Sequence, residues 1–276
     1  MQEFSFESGA DAWTIHGYRW RVQAPAARVL VSHGMAEHAL RYERFAAALN
    51  AAGFDVWAVD HRAHGRTSVP QGLGDFGEGG WDALVDDLDV CRALMAAEGD
   101  EPVILFGHSM GAAAAQQYAP LYSDNIAALI LSGSTLRRPD EEIPVYNAAF
   151  EPARTPYDWL SRDPVEVDRY INDPLCGFEG QVLRNGMDRT DPRRVDPERL
   201  KKIRPDLPVL LVAGDADPIN RQLAGIDFLE TAWRDAGVKR IDRQIYEGGR
   251  HEMLNETNRD EVTGAIIAWI DGVVAA

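Results

Sequence analysis

Gly107-His-Ser-Met-Gly111 is the stretch of this 276-residue chain with the clearest chemical content. It follows the apolar run Val103-Ile-Leu-Phe106 and leads into the alanine-rich run from Met110 to Tyr122. Ser109 is therefore expected on a sharp strand-to-helix turn, with glycines at 107 and 111 removing side chains that would clash there. A plain glycine-rich turn would account for the glycines but not for this strand and helix on either side. The helix that follows points its N-terminus at the serine oxygen and favours negative charge on it. A serine hydroxyl is a poor nucleophile until a base takes its proton, so the rest of the chain must supply an imidazole and a carboxylate.

Both are present, in the order acid then base. After Pro208-Val-Leu-Leu-Val-Ala213 comes Gly214-Asp-Ala-Asp217, and after a run ending at Tyr246 comes Glu247-Gly-Gly-Arg-His251. His251 alone among the seven histidines lies beyond the acid and after the final strand. Asp215 and Asp217 are both candidates for the acid, and either suits the cap of a helix beginning near Asn220. A fourth element follows Val29-Leu-Val-Ser32: in His33-Gly34-Met35 the glycine lets the backbone turn a main-chain amide toward the serine. The amides of Met35 and Met110 would then hold a tetrahedral oxyanion, each contributing roughly 3 to 4 kcal/mol.

These sites need a scaffold that brings them to one edge. Strands are expected at Trp13 to Val22, Arg28 to Ser32, Phe54 to Asp60, Val103 to Phe106, Ile126 to Leu131, Val209 to Ala213 and Arg240 to Tyr246. Several are continuous apolar runs, as strands covered on both faces should be. Helical patterns fill the intervals at Tyr42 to Ala52, Trp81 to Ala97, Met110 to Tyr122, Arg221 to Asp235 and Arg259 to Val273. The alternation implies an α/β fold with a mostly parallel sheet and right-handed crossovers, and so places Ser109, the acid and His251 at the same carboxyl edge. One interval breaks the rhythm: residues 136–205 hold nine prolines and no clean buried strand. A connection of this length is uncommon as bare loop and reads as an inserted, mainly helical cap, the core being 1–135 and 206–276. Its aromatic and apolar residues Tyr146, Phe150, Tyr157, Trp159, Leu160, Leu175 and Phe178 either form a small core of their own or face an apolar substrate channel. The cap carries 13 Arg and Lys against 14 Asp and Glu, in a chain whose net charge is −16.

That charge disfavours nucleic acid and anionic bilayers at long range. Cys91 and Cys176 have no ligand-like spacing and read as packing residues of a reducing compartment. The first residues lack a basic and then apolar leader, and no apolar run is long enough to span a bilayer, so a soluble cytoplasmic protein is expected. Three motifs are decoys. Gly72-Leu-Gly-Asp-Phe-Gly77 spells a dinucleotide fingerprint without a strand leading into it, and Asp75 has the wrong charge for a pyrophosphate. His251-Glu252 begins a zinc-protease motif that fails at Asn255. His61 and His64 lack a credible third ligand and read as turn residues.

With these segments in place, the chain resembles the α/β-hydrolases, specifically the monoacylglycerol lipase and lysophospholipase-like branch of serine hydrolases. The likeness runs from about residue 28 to 256 and is carried by His33-Gly-Met-Ala-Glu-His38 with Arg41-Tyr42, Asp60-His-Arg-Ala-His-Gly65, Gly107-His-Ser-Met-Gly111, Asp173-Pro-Leu-Cys-Gly-Phe178, Gly214-Asp-Ala-Asp217 and His251. The resemblance implies the α/β-hydrolase fold, a catalytic triad of Ser109, Asp217 and His251, oxyanion donors at Met35 and Met110, a helical cap over an acyl pocket, and no cofactor or metal. Asp217 is thus favoured over Asp215 by the family pattern. Two departures are visible: Ala63 stands where the branch often has glycine, and Met35 is bulkier than the small residue common there, which would narrow the pocket mouth.

The expected activity is hydrolysis of a small-molecule carboxylic ester through an acyl-enzyme, on monoacylglycerols or similar fatty acyl esters. Membrane contact would be at most transient, through the cap. A lysophospholipase or a small-ester carboxylesterase is the nearest alternative. Thioesterases, peptidases and C–C hydrolases use the same triad. A non-catalytic ligand-binding module would not need all four elements together, and a cofactor-free haloperoxidase or lyase would turn over without an acyl-enzyme.

Overall fold

The computed structural model describes residues 1–276 apart from 70, 139, 143, 179–184, 189, 190 and 276. Eight strands form one sheet: β1 (Gln2–Glu7), β2 (Thr14–Trp20), β3 (Ala27–Ser32), β4 (Phe54–Val59), β5 (Val103–His108), β6 (Ala128–Ser132), β7 (Val209–Gly214) and β8 (Ile241–Tyr246). Their order across the sheet is β1-β2-β4-β3-β5-β6-β7-β8. From β4 to β8 every neighbouring pair is parallel, whereas β1 and β2, and β2 and β4, run antiparallel. β3 through β7 are buried at every residue, which is why they read as unbroken apolar runs. β1 went unread in the sequence because it is a half-exposed edge strand, QEFSFE, anchored by Phe4 edge-on to Trp57 at 4.8 Å.

Helices cover both faces, as a parallel sheet requires. On one face α2 (Gly80–Ala96), α3 (Met110–Tyr122) and α6 (Ala224–Asp235) pack Leu84, Leu88, Tyr118 and Trp233 with Leu30, Leu105, Leu129 and Leu211 of the strands. On the other, α1 (Glu43–Ala51) and α7 (Arg259–Val274) pack Phe45, Leu49, Ile266 and Ile270 with Val29, Val31, Ile104, Phe106 and Ile130. The alternation Ile104, Leu105, Phe106 shows the period of two that sends neighbours to opposite cores. α6 starts three residues later than its pattern suggests, because Arg221, Gln222 and Leu223 take left-handed φ values of 50°, 56° and 72°.

Between β6 and β7 the described regular structure is helical: α4 (Pro164–Asn172), α5 (Pro197–Leu200) and short 3₁₀ turns. Asp163 and Asp196 cap the two helices, each accepting from a backbone amide at 3.0 Å with proline at the first helical position. Leu160, Tyr170 and Cys176 are buried together here, with Tyr157 and Trp159 against them. Among the described residues no helix is long and apolar enough to cross a membrane.

Candidate active site

The turn from β5 to α3 puts Ser109 at φ 53°, ψ −113°, a conformation a serine adopts only under constraint. Its amide donates to the Ser132 carbonyl of β6 at 2.9 Å, which fixes the turn to the sheet. The close fit explains the second glycine: a Cβ on Gly111 would lie 2.0 Å from the Ser32 carbonyl oxygen of β3. Met110 is the first residue of α3, so its amide is among those a helix leaves without an internal acceptor.

β7 and β8 deliver the acid and the imidazole to the same edge. His251 Nδ1 bonds Asp217 Oδ2 at 2.9 Å, with both side chains buried. Asp217 Oδ1 accepts from the Ile219 amide at 2.9 Å, and Oδ2 also accepts from Asn220 Nδ2 at 3.2 Å, so both oxygens are held. Asp215 points elsewhere: its Oδ1 accepts from the Gly248 amide at 2.7 Å, bracing the turn after β8. Local sequence chemistry left the two acids equivalent; the geometry pairs only Asp217 with the imidazole. Ser109, Met35, Met110 and His251 line one cavity of about 290 Å³, at the small end for a ligand pocket. Among the described residues no hydrogen bond joins the Ser109 hydroxyl to His251, whose described ring bond goes to Asp217.

Burial opposes the charged form of His251, but the Asp217 charge and hydrogen bond, with Glu252 and Glu37 behind them, outweigh it, and the ring titrates above its usual 6.5. His108, 4.8 Å from His251 between ring centres, goes the other way: burial and the neighbouring imidazole push it down to about 4. The two histidines at one site thus have opposite protonation preferences.

The loop bearing Met35 is held by a buried ion network that sequence reading did not find. Gly34 donates its amide to Glu37 Oε1, which also accepts from Tyr42 Oη at 2.8 Å. Arg41 bonds Glu37 at 2.5 Å and takes Glu252 in a two-pronged grip, 2.8 Å at each prong. Glu252 follows His251 directly, so one guanidinium ties the Met35 loop to the histidine loop. Burial opposes ionisation of both acids, but Arg41 holds Glu37 and Glu252 below the usual carboxylate range. The signal was present in the Glu37, Arg41 and Tyr42 of the family pattern, but their partner Glu252 lies 211 residues away from Arg41 and only the fold supplies it.

The histidine loop is also pinned by the segment between β6 and β7. The His251 and Glu252 amides donate to the Trp159 and Leu160 carbonyls at 3.4 and 2.8 Å. The Trp159 ring lies 5.0 Å from the imidazole, and Tyr146 packs on Trp159 at 4.6 Å. Glu256, fully buried, accepts from the Arg162 amide, Arg162 Nε, the Arg250 amide and the Thr257 amide at 2.8 to 3.0 Å. Tyr146, Tyr157, Trp159, Leu160 and Phe178 face the cavity, while Tyr157, Trp159 and Leu160 also belong to the segment's own cluster. Phe150 instead lies under Arg250 at 4.1 Å, and Leu175 is placed outside the cavity lining.

Two more histidines, His33 and His64, hold turns. His33 Nε2 accepts from the His61 amide at 3.0 Å, and His64 Nε2 accepts from the Ala36 amide at 3.1 Å. Burial lowers the pKa of the His33, His61 and His64 rings, His64 to about 4, so His33 and His64 serve as neutral acceptors. Gly72, Gly74 and Gly77 are turn glycines with positive φ in the loop before α2. His38, Asp173 and Cys176 gather their ligand atoms within 4.8 Å, but His38 Nε2 is already bonded to Asp173 at 2.8 Å and burial pushes the Cys176 thiol up, keeping it protonated.

A strained serine between strand and helix, an imidazole oriented by a buried carboxylate, and a parallel sheet that gathers them at its carboxyl edge define an α/β-hydrolase. The family model for serine aminopeptidases, S33, matches residues 23–258, and the chain belongs to this family, in its monoacylglycerol lipase-like branch. It is 30% identical over 267 residues to the monoacylglycerol lipase of Mycolicibacterium smegmatis, covering 89% of this chain and 88% of that one. Against the human monoglyceride lipase it is 29% identical over 269 residues, covering 90% and 82%. A thermostable carboxyl esterase from Bacillus coagulans, solved in complex with glycerol, superposes with a TM-score of 0.87 at 28% identity, over 99% of this chain and 98% of that one.

Proposed function

We propose that the protein hydrolyses carboxylic esters through an acyl-enzyme, with monoacylglycerols or similar fatty acyl esters as substrates. The observation that carries this reading is the buried 2.9 Å bond between His251 Nδ1 and Asp217 Oδ2 on the cavity that Ser109 shares. In the proposed reaction Ser109 Oγ attacks the ester carbonyl carbon as His251 Nε2 takes the hydroxyl proton, and Asp217 stabilises the resulting imidazolium. The Met35 and Met110 amides donate to the oxyanion. Collapse breaks the carbon–oxygen bond to the alcohol, which leaves with the proton from His251. Water then adds to the acyl-enzyme, giving its proton to the same nitrogen, and the acid departs as the proton returns to Ser109. Residues 136–205 act as the cap in this scheme, with Tyr146, Tyr157, Trp159 and Phe178 offering apolar surface to an acyl chain. The names of the two lipase relatives support the fatty acyl class, and the glycerol-bound esterase supports the same alcohol. The protein would act in the cytoplasm and meet lipid only transiently, through this cap.

The test is a fluorophosphonate probe with the adduct mapped by mass spectrometry, run beside a chain-length series of monoacylglycerols and p-nitrophenyl esters. Labelling on Ser109, lost in Ser109→Ala, with best turnover on medium or long chains is the expected result. Turnover confined to acetyl or butyryl esters would make it a small-ester carboxylesterase, and faster cleavage of amino-acid amides than of any ester would make it a peptidase. Absence of any label would reject the serine mechanism.

A further inference from the structure

The two carboxylates that line the cavity, Glu37 and Glu252, are taken up by Arg41, whereas one corner presents arginines. Arg194, from the segment before α5, and Arg137, just past β6, line the chamber that Ser109 and His251 share. Arg194 Nη2 donates to Gln116 Oε1 of α3 at 2.9 Å and to the Thr135 carbonyl at 3.0 Å. Gln116 is oriented for this, since its amide nitrogen is used on Ser134 Oγ at 2.7 Å and on the Thr135 carbonyl at 3.2 Å. Among the described residues, Arg194 Nε is buried with no hydrogen-bond partner. Asp191, the acid whose charge acts on Arg194, is itself engaged by Arg193, which holds its carboxylate at 2.7 to 3.0 Å. Burial, with repulsion from Arg137, pulls Arg194 down to about 10, at which the guanidinium is still cationic near neutral pH.

A half-buried cation whose Nε is buried, and which has no carboxylate hydrogen-bonded to it among the described residues, is poorly compensated. A methylene chain laid against it would remove its remaining solvation and return nothing, whereas an anionic oxygen would satisfy the idle donor and the charge together. Gln116 lies two turns along α3 from Ser109, which places this corner roughly 10 Å from the serine at 1.5 Å per residue. We propose that Arg194, with Arg137 beside it, forms an anion subsite of the substrate cavity, so that the preferred esters carry a carboxylate or phosphate group roughly 10 Å from the scissile carbonyl. This rests on the ester-hydrolase reading above and narrows its substrate class.

The test measures kcat/KM for two matched pairs: the methyl ester of a medium-chain fatty acid against the monomethyl ester of the α,ω-diacid of equal length, and a monoacylglycerol against the lysophosphatidate with the same acyl chain. The anionic member of one pair is expected to win by about tenfold or more, the size of a hydrogen bond to a charged group, and the winning pair tells carboxylate from phosphate. In Arg194→Gln that ratio should fall to near one. Arg169→Gln, which removes the same charge from an exposed position on α4, should leave it as in the parent. Calorimetry of the free diacid and of glycerol phosphate with Ser109→Ala supplies a readout independent of turnover, and binding should vanish when Arg194→Gln is added. Ester hydrolysis without anionic preference overturns the subsite alone. No hydrolysis, with Arg194-dependent binding of either anion, overturns the ester reading and keeps the subsite, and failure of both removes both.

Discussion

Asp217→Asn and Asp215→Asn replace neighbouring acids by isosteres, and the structure assigns them very different consequences. Asp217 presents two occupied acceptors: Oδ1 to the Ile219 amide, Oδ2 to His251 Nδ1 and Asn220 Nδ2. An asparagine has one acceptor for these two places. With its oxygen on Ile219, its NH2 faces His251 Nδ1, forces the tautomer protonated on Nε2, and leaves the ring unable to take the Ser109 proton. Turned over, it keeps the tautomer but opposes two donors at Ile219 and still lacks the charge. The comparable change in serine proteases lowers kcat about 10⁴-fold, which corresponds to roughly 5.5 kcal/mol of transition-state stabilisation. Asp215 Oδ1 accepts from one backbone amide, a bond that an asparagine oxygen keeps, so kcat/KM should stay within about threefold. A pH series on a medium-chain p-nitrophenyl ester gives a second signature. With His251 as the proposed base, activity needs its neutral form, and because its pKa is raised the parent rate should fall as pH drops through a value above 6.5. Without Asp217 the burial effect is left largely unopposed, and the acid limb should move to lower pH. A loss smaller than about tenfold in Asp217→Asn, a greater loss in Asp215→Asn, or an unmoved limb would refute the assignment.

Two further predictions concern how the site is held. Gly111→Ala drives a Cβ to 2.0 Å from the Ser32 carbonyl, a contact between two backbones that no rotamer can relieve. It should cost about 3 kcal/mol and lower Tm by roughly 10 °C in a calorimetric scan, and a Tm within about 2 °C of the parent would contradict the packing argument. Glu256→Gln keeps one of two oxygens serving five donors and should cost about 2 kcal/mol, with kcat falling because Arg162 and Arg250 fix the segment that pins His251. Burial opposes its ionisation, but the Arg162 and Arg250 amides and the Arg162 guanidinium hold the Glu256 carboxyl below its ordinary 4.5. Its contribution is therefore present above about 4.5 and lost as pH falls further, so parent and variant Tm curves should converge in acid. Parallel curves down to pH 3 would show that the carboxylate charge is not what matters.

What the sequence made legible follows the range of the interactions concerned. β3 to β7 announce themselves because each is buried on both faces, and Ser109 is marked by glycines answering to contacts a few ångströms away. Ala63 is a local case as well: it takes φ 67°, the left-handed conformation in which glycine is the unstrained choice, and this is where the family pattern has glycine. β1 was missed because an edge strand with Phe4 and Phe6 as its sole apolar residues carries too short an alternation to stand out from an exposed terminus.

Most of the unread part of the site is non-local. Nothing near Arg41 predicts Glu252, which it meets only because the loops after β3 and β8 reach the same sheet edge, and nothing near Glu256 or Gln116 predicts Arg162 or Arg194, which reach them only when the segment between β6 and β7 lies against the histidine loop and α3. The apolar residues of that segment are core and cavity wall at once rather than one or the other. Trp159 packs beside Leu160 and Tyr170, lines the cavity, lies 5.0 Å from the His251 ring and accepts the His251 amide through its carbonyl. A side chain that is core on one edge and cavity wall on the other couples the fit of the acyl chain to the placement of the imidazole. Substitutions at Trp159 should therefore change chain-length preference and kcat together, where a residue that merely packed, or merely bound, would move one alone.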